Sequence, residues 1–220
     1  MVKQHNRSRL AALAIAATVA LGAAACVPPP GPDVDPPDDR SVITDDAHLD
    51  VVSIELHGDH FHVGIDHADH EEQLHPEDVV LAVGHPNESI VGDDPGFAPL
   101  GAAGTPIWTL DGGWSVHGAA AGDLVDDTVT MHVRSISGPG TLGVWSTDGL
   151  GVPAFQIDSG APLPQSLELS HHAHAHRNWS FTEPGEYTVG IEVTGVMAAT
   201  GEELTSGVQT WTFRVEDHDH

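Results

Sequence analysis

The chain has 220 residues, of which 33 are acidic and seven are basic, giving a formal net charge of −26 at pH 7. Such a surface repels the phosphates of nucleic acids and of anionic lipid head groups, which excludes nucleic acid as a partner. The chain also has 17 histidines. Imidazole and carboxylate together form the ligand set of zinc and related divalent metals, so the composition favours a cation as the ligand.

The first 25 residues are typical of a bacterial lipoprotein signal peptide. Three basic residues and no acid precede an apolar stretch over residues 10–25, which is shorter than the roughly 20 residues of a membrane span. The stretch ends in small residues directly before Cys26. We expect Cys26 to be acylated, with palmitate among its acyl groups, and to hold the protein on the extracellular face of the cell membrane. An ordinary secretory peptide is the alternative.

Residues 26–40 are predicted to be a tether between the lipid anchor and the folded part, because proline and aspartate dominate there and nothing can pack. Cys26 is the one cysteine of the chain, so no intramolecular disulfide can form and a packed core must supply the stability. Removal of the signal peptide leaves about 195 residues, which is enough for one domain.

From residue 41 to residue 216, short runs of Val, Ile, Leu, Thr and aromatic residues alternate with Gly, Pro and Asp clusters, which are strand and turn signals. The sequence therefore predicts an all-β fold, an antiparallel immunoglobulin-like β-sandwich. A Pro-Gly turn directly before Tyr187 supports this prediction, because it is typical of a tyrosine corner. The clearest predicted strands are residues 51–56, 61–65, 79–83, 129–136, 187–193 and 211–215.

The first histidine cluster lies in a predicted hairpin that turns at Gly58 and Asp59, where glycine at the first central position suits a type II′ turn. Pairing residue 57 with residue 60 puts the apolar residues of both strands on one side. The other side collects a carboxylate and three imidazoles, from Glu55, His57, His60 and His62. Cross-strand neighbours lie about 5 Å apart, so these side chains can converge on one metal ion. A solvated, histidine-rich face is the alternative.

The open end of the same hairpin contains two further candidate ligands, His48 and Asp50. If the register set at the turn continues without interruption, Asp50 lies near His67 and His48 lies near Asp69. Both pairs are then predicted to lie on the core side of the hairpin.

The second histidine cluster is the segment 171–176, which reads HHAHAH. In an extended segment alternate residues share a face, so His172, His174 and His176 are predicted to point together while His171 points away. A flexible surface loop that ligates nothing specific is the alternative.

Two acidic, histidine-rich segments are expected to be mobile and to lack core residues. They are residues 66–75 and the C-terminal end, whose residues 217–220 form a His/Asp tail. Each can capture metal loosely, and a solvated acidic loop is the alternative. His85, His117 and His132 stand alone in the sequence, and we assign them no ligand role.

The segment from His174 to Tyr187, HAHRNWSFTEPGEY, resembles the signature of the actinobacterial surface-anchored protein domain family, also called the choice-of-anchor M domain. The similarity extends through residues 48–50, 76–83, 104–110, 138–140 and 207–215. This chain differs from the larger members in having one copy of the domain, a lipid anchor in place of a C-terminal anchor, and additional histidines.

Members of that family are cell-surface proteins that accompany ABC transporters thought to import zinc or manganese, so the resemblance implies metal handling with transporter components as partners. Carried over to the matched positions, it implies a principal site of His48, His174 and His176, with Asp50 as a ligand or as the residue that orients an imidazole. A three-histidine site suits zinc, with manganese or another divalent metal as the alternative. Copper(I) is disfavoured because thioether ligands are scarce.

The sequence thus predicts a cell-surface lipoprotein that binds divalent metal, zinc first, for capture or for delivery to an ABC transporter. The alternative is a structural or adhesive module that recognises a protein or a glycan, with the histidines as decoration. A zinc hydrolase is disfavoured, and no enzyme activity is predicted, because the chain has no H-E-x-x-H helix and no G-x-S-x-G elbow. A pH sensor is a further alternative, since histidine titrates near neutrality.

Overall fold

A computed structural model of the protein describes residues 39–44, 48–84, 86, 95–101 and 104–217. The predicted signal peptide, Cys26, most of the tether, His85 and residues 218–220 lie outside the described residues, so the predictions made for them stay predictions. Within the described ranges the chain forms the strands β1 (Ser41–Ile43), β2 (Leu49–His57), β3 (His60–His67), β4 (Val79–Val83), β5 (Trp108–His117), β6 (Thr128–Ser137), β7 (Leu142–Thr147), β8 (Pro153–Asp158), β9 (Gln165–Ser170), β10 (His174–Phe181), β11 (Gly185–Val196) and β12 (Glu203–Val215).

The helical segments in these ranges are short 3₁₀ turns. They cover Pro76–Asp78, Pro95–Leu100 and Val125–Asp127. No helix of the described part of the chain has the length and apolar character needed to cross a membrane.

The strands form two six-stranded sheets that pack around a common core. The first sheet has the order β1-β4-β12-β11-β6-β9, and the second has the order β3-β2-β5-β10-β7-β8. The predicted all-β sandwich is confirmed, and each clearly predicted strand lies within an observed one. The prediction of purely antiparallel sheets is wrong, because β1 with β4, β4 with β12, and β2 with β5 pair in parallel. Those strands are not hairpin neighbours, so no tight turn constrains their direction.

The inward faces of the two sheets build the core, as alternation along a half-buried strand requires. The ring centroid of Phe213 in the first sheet lies 5.2 Å from that of Trp179 and 5.3 Å from that of Phe181 in the second. These ring contacts fix β10, the strand that carries the second histidine cluster, against the opposite sheet. The largest fully buried side chains are Trp114, Trp179, Trp211, Tyr187, Phe181 and Phe213.

Tyr187 forms the predicted tyrosine corner at the beginning of β11. Its hydroxyl donates a hydrogen bond to the carbonyl oxygen of Glu183 at 2.9 Å and accepts one from the backbone N–H of Gly140 at 3.1 Å. Burial raises the pKa of Tyr187, because the phenolate is less well solvated inside the protein than the neutral phenol. The corner therefore joins the turn before β11 to the loop before β7.

A β-bulge in β2 decides where the first residues of that strand lie. From the turn to Ser53 the pairing with β3 is the predicted one, but beyond the bulge Asp50 lies opposite Asp66 and Leu49 lies opposite His67. The predicted pairing of Asp50 with His67 is wrong by one residue, because a bulge adds a residue to one strand and not to its partner. The predicted neighbour of His48 is also wrong.

The bulge is held from inside the core. The carbonyl oxygen of Val51 accepts a hydrogen bond of 2.7 Å from the indole Nε1–H of Trp211, which belongs to the opposite sheet. The carbonyl oxygen of His48 accepts a hydrogen bond of 3.0 Å from the N–H of Ala68. His48 therefore pairs with Ala68 and not with Asp69. The side chain of Asp50 consequently contacts histidines on the outer face of the second sheet, and its predicted position on the core side is wrong.

Candidate metal centre

Three histidine side chains from two distant segments meet on the outer face of the second sheet. One ring nitrogen from each of His48, His174 and His176 lies within 4.8 Å of the other two. The ring centroid of His48 is 5.2 Å from that of His174 and 5.2 Å from that of His176, and the last two are 5.6 Å apart. We call this group the histidine triad; it consists of the three histidines that the family resemblance implies as a principal site.

Alternation along β10 and the residue before it explains the direction of two members of the triad. Ala173 and Ala175 pack against the core, so His174 and His176 project from the opposite face. The side chains of both alanines are therefore the ones that contact the core.

The position of His48, the third member of the triad, follows from the order of the strands in the second sheet. β5 lies between β2 and β10 in the second sheet. Gly113 of β5 pairs with His176 on one side and with Asp50 on the other. This row brings the beginning of β2, and His48 directly before it, beside the imidazoles of β10.

The carboxylate of Asp50 lies against two of the triad histidines. Its side chain is 3% exposed, whereas those of His48 and His174 are 42% and 49% exposed. Oδ2 of Asp50 lies 3.5 Å from Nε2 of His48, and Oδ1 lies 3.4 Å from Nε2 of His174. A buried carboxylate under half-exposed imidazoles supplies negative charge to a cation that arrives from solvent.

The triad fits a divalent metal such as zinc. Tetrahedral zinc with Zn–N distances of about 2.0 to 2.1 Å holds its ligand atoms about 3.4 Å apart. The three ring nitrogens already lie within 4.8 Å, so small rotations of half-exposed side chains bring them to that spacing. Asp50 is then positioned either as a fourth ligand or as the acceptor that orients an imidazole. The chain thus has a histidine and aspartate group that can hold a metal ion.

Arg177 follows the triad in sequence, but its charge lies on the other face of the sheet. Its guanidinium carbon is 4.6 Å from the centroid of the Trp114 ring, and Trp114 is a core residue. Burial lowers the pKa of Arg177, because the charged form is less well solvated there. Strand alternation therefore directs this cation away from the histidines of the outer face.

The hairpin histidines lie near one another without forming an equally tight group. Gly58 has φ of 63°, as the predicted turn requires, and Glu55 lies opposite His62 while His57 lies opposite His60. The ring centroid of His57 is 6.0 Å from that of His60 and 6.1 Å from that of His62. Among the residues that the structure describes, the groups with three ligand atoms within 4.8 Å contain none of these four side chains. Metal binding by His57, His60 and His62 stays a prediction.

The prediction that His172 joins the face of His174 and His176 is wrong. β10 begins at His174, and residues 171 and 172 form a turn before it. His172 contacts His171 instead, with ring centroids 4.4 Å apart. The N–H of Ala173 donates to the carbonyl oxygen of Ser170 at 2.9 Å, which closes the turn and ends the alternation on which the prediction rested.

The segment 66–75 contributes to the fold at both ends, so the prediction that it lacks core residues is wrong. His67 belongs to β3 and is buried. Leu74 forms a bridge with Ile65 and packs against the core, and the side chain of Gln73 donates a hydrogen bond of 2.9 Å to a backbone carbonyl of β2. His75 brings a further imidazole to the hairpin, with its ring centroid 5.4 Å from that of His62.

Sequence reasoning missed one member of a second group. Ligand atoms of Asp50, Asp66 and His117 lie within 4.8 Å of one another, although His117 stands alone in the sequence. Alternation along β5 indicates that residues 113, 115 and 117 share one face of the sheet. It does not indicate which strands lie beside β5, so the sequence alone could not place His117 near Asp50 and Asp66.

His132 lies on the first sheet, away from both groups. Its ring nitrogens pair with the hydroxyl oxygens of Ser166 at 2.7 Å and Thr194 at 2.9 Å. Burial, followed by the positive charge of Arg134, lowers the pKa of His132. These contacts give His132 a structural role between three strands.

Comparisons with known proteins give no match. No protein-family model matches the chain, and no curated protein matches it. The resemblance to the surface-anchored domain family therefore stays a prediction from sequence.

Proposed function

We propose that this protein is an exported lipoprotein that captures a divalent metal ion, zinc before manganese, at His48, His174 and His176 and hands it to an ABC transporter. The observation that carries the proposal is the meeting of three imidazole nitrogens from two segments that are far apart in sequence. The buried carboxylate of Asp50 beside two of them adds the negative charge that a divalent cation requires.

The exposure of the triad favours reversible capture over a purely structural ion. Structural zinc sites are closed by four protein ligands, whereas a site with three protein ligands leaves the fourth position open. The triad side chains are about half exposed, so an ion can enter and leave without unfolding of the strands. The large excess of acidic residues raises the local concentration of cations around such a site.

The predicted lipid anchor and tether support a location of the protein at the outer surface of the membrane. Acylation of Cys26, followed by a proline-rich spacer, would hold the domain at the outer membrane surface where a transporter is within reach. A surface module that recognises a protein or a glycan is the alternative, and it predicts that chelation leaves partner binding unchanged.

The test is the metal content of the full-length chain, extracted in a non-ionic detergent and purified without a polyhistidine tag. After dialysis against metal-free buffer, elemental analysis should find at least one zinc ion per chain, the one held at the triad. The double variant His174→Ala, His176→Ala should lose this ion, because a single imidazole and one carboxylate cannot retain it.

A matched control is the double variant His171→Ala, His172→Ala. It removes two histidines from the same segment but from the turn outside the triad, so it should keep the zinc of the wild type. Equal zinc in all three proteins, or zinc in none, would refute the proposed site.

A further inference from the structure

Asp50 is a buried carboxylate with an oxygen that lacks a hydrogen bond. The residue is 2% exposed, and Oδ1, although it lies 3.4 Å from Nε2 of His174, accepts no hydrogen bond from the described part of the chain. Its neighbours at ion-pair distance are the imidazoles of two histidines of the triad. Buried polar atoms in proteins are nearly always satisfied by protein, water or an ion, so an unsatisfied carboxylate oxygen indicates an absent partner.

A second group of ligand atoms meets at this same carboxylate. Asp66 lies opposite Asp50 on β3, and His117 ends β5 on the other side of β2. One ligand atom from each of the three residues lies within 4.8 Å of the others. Asp66 is half-buried and His117 is exposed, so this group opens to solvent while Asp50 forms its buried end.

A cation between the two carboxylates of this group would relieve their mutual repulsion. Like charges directly opposite each other on neighbouring strands are destabilising. Within the described residues, Asp66 has no ion-pair partner, and the contacts of Asp50 go to the triad histidines. A divalent ion held by both carboxylates removes the repulsion, and the imidazole of His117 completes a mixed oxygen and nitrogen ligand set.

The floor under this group is built of small residues of β5. A Cβ atom on Gly113 would lie 2.6 Å from the carbonyl oxygen of Ala175 and 2.9 Å from Oδ1 of Asp50, so glycine lets both β10 and the carboxylate approach β5 this closely. Ser115, between Gly113 and His117 on the same face, is fully buried and its hydroxyl oxygen makes no hydrogen bond within the described ranges. Two buried polar atoms without partners on one face point to an occupant that the polypeptide does not supply.

We propose that Asp50 bridges two metal ions, one bound at the histidine triad and one bound by Asp66 and His117. This inference rests on the proposed function, because the first ion is the one proposed there. A bridging carboxylate offers one oxygen to each ion, and ions of such pairs lie about 3.5 to 4 Å apart. Two carboxylates with one imidazole form a harder ligand set than the triad, which suits manganese as well as zinc.

The test uses Mn²⁺ alone as the probe, added to the metal-free full-length chain in detergent and followed by electron paramagnetic resonance. Loss of the free Mn²⁺ signal counts the bound ions, and an exchange-coupled spectrum reports that two ions share a bridge. The wild type should bind about two ions with a coupled spectrum, since bridged pairs are this close. Asp66→Asn with His117→Ala should bind about one ion, uncoupled, and keep the triad site.

The matched control is Asp69→Asn with His70→Ala, which removes the same residue types from the neighbouring exposed loop and should behave as wild type. If the wild type binds one ion and Asp66→Asn with His117→Ala changes nothing, the bridge is refuted while the proposed function stands. Two ions without coupling refute the bridge as well. If the wild type binds no Mn²⁺ but retains zinc at the triad in the elemental analysis, the bridge is refuted while the proposed function stands, and failure to bind either metal contradicts both.

Discussion

Replacing Trp211 by phenylalanine removes the hydrogen bond that holds the bulge of β2. The indole Nε1–H of Trp211 donates to the carbonyl oxygen of Val51 at 2.7 Å inside the core. Phenylalanine keeps an aromatic ring at this position but leaves the carbonyl unpaired and shielded from water. Loss of such a partner costs about 1 to 3 kcal/mol of unfolding free energy.

Trp179 provides a control for the loss of ring size that Trp211→Phe also causes. Trp179 is also fully buried, but its Nε1–H has no hydrogen-bond partner among the described residues. Trp179→Phe therefore removes the same atoms without breaking a hydrogen bond. We expect Trp211→Phe to be less stable than Trp179→Phe by about 1 to 3 kcal/mol.

Urea unfolding followed by circular dichroism, in the presence of a chelator, measures both variants without a contribution from metal. For a domain of this length the expected difference corresponds to about 2 to 12 °C in melting temperature. Equal losses of stability in the two variants would mean that the Val51 carbonyl does not depend on Trp211, and that something else stabilises the bulge.

The remaining predictions concern the tyrosine corner and the floor of the metal centre. Tyr187→Phe should lower the unfolding free energy by about 1 to 3 kcal/mol in urea titrations, because the backbone N–H of Gly140 and the carbonyl of Glu183 lose their partner. The raised pKa of Tyr187 means that its contribution is complete below the unfolded value of about 10 and is lost as pH rises through the folded value, so the wild type should lose more stability at alkaline pH than the variant. Gly113→Ala should weaken zinc binding by about tenfold or more in competition with a chromophoric chelator, because the new methyl group would lie 2.6 Å from the carbonyl oxygen of Ala175 in β10 and 2.9 Å from Oδ1 of Asp50; unchanged affinity would show that the site does not depend on this close approach.

The fold class and the hairpin were predictable because they depend on local patterns. Alternation of apolar residues marked the strands, and Gly58 fixed the turn and with it the pairing of His57 with His60. Tyr187 was predictable from the Pro-Gly turn directly before it, and the bond to Glu183 is local, although the bond from Gly140 spans 47 residues. For the strands and the hairpin, a few neighbouring residues contain the whole physical cause.

The position of Asp50 was not predictable from the hairpin alone. The bulge depends on a hydrogen bond from Trp211, which is 160 residues away in the chain, and on pairing with β5. The register read from the turn is therefore correct up to Ser53 and wrong beyond it. A one-residue shift moves a side chain from one face of a sheet to the other, so this long-range contact decides whether Asp50 meets the core or the histidines.

The members of the two ligand groups differ in how far the sequence alone predicts them. His174 and His176 stand two residues apart on one strand, and their common face follows from alternation. His117 has no such neighbour; strand pairing puts it opposite Glu55 of β2, yet one of its ring nitrogens lies within 4.8 Å of carboxylate oxygens of Asp50 and Asp66. His171 and His172 resemble ligands by composition, but a turn directs them elsewhere.

The separation of His48 from His174 along the chain has a mechanical consequence. A bound ion at the triad would clasp the beginning of β2 to the beginning of β10, closing a large loop much as a covalent cross-link does. A protein with a single cysteine has no disulfide within the chain to do this. Loading with metal would thus stabilise the sandwich against unfolding and proteolysis, and release of the ion would remove this stabilisation.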